Sequence, residues 1–127
     1  MKAQMGIEFV VLTSLLLVII SIFLYSSYSK QAELINIKTE NELKDLLDAA
    51  SFEINAAVKA GDGYERSFNM NIYTTLSQYN MEIHGNEIIL VYGKWSMYKT
   101  IITRDVVGNF TKDFNRIKNV GGTIYVN

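Results

Sequence analysis

The chain has 127 residues, room for one domain of modest size. Twelve Lys plus Arg against 13 Asp plus Glu leave a formal net charge of −1, which argues against nucleic acid as a partner, because nucleic-acid binders carry a basic face. No Cys and a single His exclude disulfide staples, Cys-based zinc sites, thiol nucleophiles and His-rich metal sites, so neither a metal nor a cofactor is expected.

Apolar residues make up 49% of the chain and charged residues 20%, but they are not mixed evenly. Residues 9–29 read FVVLTSLLLVIISIFLYSSYS, a run of 21 without one charge. At about 1.5 Å of rise per residue, a helix of this length spans a hydrocarbon core of about 30 Å. A helix also pairs its own backbone N–H and C=O groups, as lipid requires. Tyr25 and Tyr28 stand at the outer end, where amphipathic rings favour the membrane interface. A cleaved secretory signal fits poorly: the apolar run is too long, and residues 26–29 make a poor small-residue cleavage site.

The anomaly is Glu8, a carboxylate at the start of that uncharged run. Burying it in lipid costs a few kcal/mol on insertion scales, roughly 3. In a plain anchor it would rest solvated among the headgroups. The surrounding residues suggest more. Gln4-Met5-Gly6-Ile7-Glu8-Phe9 resembles the Q-x-S-x-E-F signature of archaeal type IV pilin-like proteins with a class III signal peptide. The signature's Ser is Gly6 here, and the residue before the cut is Ala3 where Gly is commoner. The resemblance implies that a membrane-embedded prepilin peptidase cuts between Ala3 and Gln4, with Lys2 as the basic residue of the leader. Gln4 then begins the mature chain and Glu8 is its fifth residue. In the family that Glu helps to gather subunits, so Gln4, Glu8 and Phe9 are the assembly and recognition residues implied. A neighbouring chain's N-terminal ammonium is the obvious partner for a buried anion.

From residue 30 to 60 charges appear, and Leu43, Leu46, Leu47, Ala50, Ile54, Ala57 and Val58 recur at helical spacing. Leu34 and Ile37 extend this stripe backwards less cleanly. With no Pro anywhere and no Gly between residues 7 and 60, one continuous helix is predicted, about 80 Å long at 1.5 Å per residue. Gly61-Asp62-Gly63 ends it. The expected organisation is a leader over 1–3, a transmembrane or filament-core helix over 4–29, an amphipathic continuation over 30–60 and a β-rich head over 61–127.

In the head, residues 64–72 alternate as a strand does. Residues 81–84 and 87–92 flank Gly85-Asn86 as a hairpin. Residues 95–103 alternate again, 104–119 read as irregular and polar, and Gly121-Gly122 leads into a short last strand at 123–126. The fold class is therefore α+β: a long N-terminal helix whose second half packs on a small antiparallel sheet of four or five strands. This layout too is similar to type IV pilins. A head of this size needs the helix to complete its core.

No catalytic set has positional support, so an enzyme is not expected. His84 reads as a turn or surface residue. Glu40, Glu42, Asp45 and Asp48, interspersed with Lys38 and Lys44, read as a solvated, salt-bridged helix face. Asn109-Phe110-Thr111 is the only N-glycosylation sequon, in the polar region where a glycan would be accessible on an exported head.

The expected function is that of a structural subunit, major or minor, of a type IV pilus-like filament. It is made as a membrane-inserted precursor with the N-terminus inside and the head outside. Its partners are then membrane lipid, the prepilin peptidase, the pilus assembly machinery and other pilin subunits. The alternative is a monomeric signal-anchored protein whose small outer domain binds a ligand.

Overall fold

The structure, a computed structural model, describes residues 2–127, with side chains from Gln4 onward. It is α+β, as expected: one helix, α1 (Lys2–Ala60), precedes seven strands. These are β1 (Glu65–Asn69), β2 (Asn80–His84), β3 (Glu87–Tyr92), β4 (Trp95–Thr100), β5 (Val106–Gly108), β6 (Phe114–Val120) and β7 (Thr123–Val126), with a 3-10 turn over Met70–Ile72. The chain divides into two compact units, residues 2–38 and Thr39–Asn127.

The first unit is helix alone. Its large apolar side chains are exposed, from Tyr25 at 78% to Ile37 at 47%. Its hydroxyls bond back to the backbone one turn earlier: Thr13 to the Phe9 carbonyl at 2.8 Å, Ser14 to Val10 at 2.8 Å and Ser21 to Leu17 at 2.7 Å. That habit satisfies the hydroxyls without water, so they do not interrupt the apolar surface. By length and composition the helix is apolar enough to cross a membrane. Leu34, Ile35 and Ile37 are exposed as well, so the buried stripe does not reach back to residues 34 and 37.

In the second unit the predicted stripe is the core. Leu43, Leu46, Leu47, Ala50, Ile54 and Ala57 are all at most 2% exposed. They pack with Phe68, Met70, Met81, Ile88, Leu90, Ile101, Phe110, Ile117, Ile124 and Val126. Each such Leu or Ile contributes about 1.5–3 kcal/mol of transfer free energy. The helix ends as predicted, with the Gly61 N–H donating to the Ala57 carbonyl at 3.3 Å and φ of +84° at Gly61. The buried Asn119 side chain donates from Nδ2 to that same carbonyl at 2.9 Å and accepts the Gly122 N–H at 3.0 Å. One side chain thereby ties the helix end to the β6–β7 turn.

The head is not one antiparallel sheet of four or five strands. It forms two sheets, one of three strands in the order β2-β3-β4 and one of four in the order β1-β6-β7-β5. The first is a meander that joins the predicted hairpin around Gly85-Asn86 to a second one, with His84 opposite Glu87 and Tyr92 opposite Trp95. The second is mixed, because β5 runs parallel to β7. Residues 64–72 form the shorter strand β1, and at Met70 the chain leaves it for the 3-10 turn, where Asn69 Oδ1 accepts the Asn71 N–H at 2.9 Å. Residues 104–119 are not irregular: they contain β5 and six of the seven residues of β6. Strand β6 alternates well, but its inward polar residues Asn115 and Asn119 disguise the pattern, with Ile117 the one apolar residue between them.

Candidate functional site

The residues singled out by the sequence fall in both units. Gln4, Glu8 and Phe9 lie near the start of α1, and all three are exposed. Gln4 and Glu8 are one helical turn apart and share a face. Glu8 has no hydrogen-bond or ion-pair partner among the described residues, and no charged residue follows it until Lys30. Of the predicted cut between Ala3 and Gln4, Met1 and the Ala3 side chain lie outside the described residues. A side chain built at Gly6 would meet nothing within 4 Å, so the Ser of the signature would fit there without rearrangement.

What this segment can do follows from its chemistry. An unpaired carboxylate beside a long apolar surface is stable in water at the membrane edge, or in an apolar setting only when a cation or donors meet it. This chain's described residues supply none.

The head holds two further groups that the sequence reading touched. His84 is a surface residue at the end of β2, and its Nε2 lies 3.1 Å from Glu82 Oε2. That contact, with the Asn80 amide as a second donor, holds the exposed Glu82 carboxyl below the usual carboxylate range. The acidic helix face is anchored rather than merely solvated. The Glu42 carboxylate accepts the Thr74 hydroxyl and the Thr75 N–H, each at 3.0 Å, and Asp48 pairs with Lys99 of β4. Asn109, directly after β5, is exposed.

The sequence reading missed Glu53. This carboxylate stands on the buried side of α1 with its side chain 2% exposed. Arg66 Nη1 of β1 is 3.4 Å from Oε1, while Oε2 has no partner. Burial pushes the Glu53 carboxyl above the usual range, and Arg66 pulls it part of the way back. Its spacing, three residues after Ala50 and four before Ala57, puts it on the stripe, but a Glu is read as one more helix charge and that signal is passed over. Tyr79 is a second buried group without a partner at its hydroxyl, pushed up by burial and then by Asp113. Among the described residues no three His, Asp or Glu side chains converge as metal ligands would.

Compared with protein-family models, curated proteins and solved structures, the chain matches none.

Proposed function

We propose that this chain is a structural subunit of a type IV pilus-like filament, inserted in the membrane before assembly and cut by a prepilin peptidase between Ala3 and Gln4. The observation that carries this reading is Glu8. It is an exposed carboxylate with no partner among the described residues, set inside the Gln4–Phe9 signature, at the threshold of an uncharged helical stretch whose apolar side chains the described residues leave exposed. The apolar surface needs lipid first and other helices later, and close packing between helices can replace lipid contact. The carboxylate needs a cation, and a neighbour's freed N-terminus supplies one where the two helices are staggered by a few residues. Such a pair sets register and order more than it adds stability. The heads would then face outward.

Mass spectrometry of sheared surface filaments tests this directly. The expected N-terminal peptide begins at Gln4. A chain that keeps Met1 and never enters filaments overturns the reading and favours the monomeric anchored protein. Glu8→Ala is expected to leave the chain in the membrane fraction and lower its incorporation into filaments by at least tenfold, the equivalent of about 1.4 kcal/mol. Incorporation at the normal level would remove Glu8 from the assembly role.

A further inference from the structure

The two sheets leave four strands at their edges, and two of those edges meet at one residue. Strand β2 is an edge of the three-stranded sheet and β5 an edge of the four-stranded one. Asn109 follows β5 immediately, and its Oδ1 accepts the backbone N–H of Ile83 in β2 at 3.1 Å. Its own carbonyl accepts Asn127 Nδ2 at 2.9 Å. The side chain is therefore held at the seam; the residue is exposed, and its Nδ2 has no partner among the described residues.

Asn109 is also the first residue of the only sequon in the chain. Between its two polar members, Phe110 is a plug, 8% exposed, with its ring edge-on to Phe68 at 6.1 Å. Asn109 and Thr111 both remain exposed on either side of it. The Thr111 hydroxyl donates to the Phe114 carbonyl at 3.1 Å, so the sequon is held in one conformation while its Asn and Thr both stay at the surface.

We propose that Asn109 carries an N-linked glycan that shields the adjoining free edges of β2 and β5. In the transfer, Nδ2 bonds to the anomeric carbon of a lipid-diphosphate-linked sugar donor. The bond from that carbon to the diphosphate oxygen breaks, the lipid diphosphate leaves, and the amide gives up one proton to a base of the transferase. The product amide keeps its carbonyl, so the bond from Ile83 to Oδ1 survives modification. Unpaired strand edges template the addition of other strands, and a bulky, solvated group beside them blocks that approach. The proposal rests on the reading above in one respect, that the head is exported to the side where such donors are used.

The test is intact-mass and peptide mass spectrometry of the full chain from the membranes of its own cells, with protease digestion of intact cells to locate the head. The expected result is a digestible head whose Asn109 peptide is heavier by a glycan, in wild type and in Thr111→Ser, and at its unmodified mass in Thr111→Val. A digestible head with an unmodified Asn109 overturns this proposal alone. A protected, unmodified head overturns it together with the export reading. For the shielding role, exported Thr111→Val is expected to aggregate several-fold faster on warming than exported wild type, while the two aggregate alike when both are made unmodified in bacterial cytoplasm. Equal rates for the exported pair refute shielding.

Discussion

The two parts of α1 use the same kinds of residue under opposite conditions. Between residues 9 and 24 Leu, Ile and Val cover every face of the helix, and their side chains are more than half exposed. Between 43 and 57 they keep to one stripe and are buried with the strands of both sheets. An all-round apolar helix is made for a medium that contacts it on all sides, whereas a striped one is made for a single partner surface. The difference teaches that the second unit buries its own stripe, whereas the described residues leave the apolar side chains of residues 9–24 uncovered.

The contrast can be broken by paired truncations. Ile54→Ala should destabilise the head by about 2–5 kcal/mol, since it opens a cavity among well-packed neighbours. Leu16→Ala should leave head unfolding unchanged. Chemical denaturation of the full chain in detergent micelles, followed through the fluorescence of Trp95, reads both, because the single Trp lies in the head. A comparable loss from Leu16→Ala would show that the first unit supports the head.

A smaller effect sharpens the account of where the helix stops. Asn119→Ala leaves the buried Ala57 carbonyl without its side-chain donor and the Gly122 N–H without its acceptor. About 1–3 kcal/mol should be lost, measured in the same way.

The smallest effect concerns pH. The Glu53 carboxyl is raised in the folded head, so the folded state holds its proton more tightly than the unfolded chain does. Its contribution is therefore most favourable in acid. It is lost progressively as pH rises from the ordinary Glu range through the raised folded value. Glu65, held low by the Arg116 guanidinium, acts with the opposite sign. The Glu53 part is isolated as the difference between wild type and Glu53→Gln. The variant should gain on wild type as pH rises across that window, and parallel stability curves would show that Arg66 offsets the burial fully.

Much of this architecture was legible in the residues because period and punctuation agree. The helix stop at Gly61, the stripe from Leu43 to Ala57 and the hairpin around Gly85-Asn86 each carry a local signal of the right period. The second sheet was not legible. Its long strand β6 faces inward through Asn115 and Asn119, whose amides are satisfied by Thr111, Asp113, Ala57 and Gly122 rather than by water. Thr111, Asp113 and Gly122 lie within four residues of these amides, but Ala57 is 62 residues from Asn119, and nothing in a polar run of sequence marks which amides turn inward to find such partners. The cation of Glu53 likewise approaches from another element, β1. For the candidate site, the position of Glu8 and the Asn109 sequon were visible in the sequence, but the meeting of two sheet edges at Asn109 was not.

The pairing order has a consequence for how the head comes to exist. Strands β2, β3 and β4 pair only with their sequence neighbours and can zip as soon as each hairpin has been synthesised. In the other sheet β7 lies between β6 and β5, and β1 waits for β6. That layer has no centre until residues 123–126 leave the ribosome. A chain held in the membrane by its first helix would thus complete this four-stranded sheet late, only once β7 has followed β6 and β5 out.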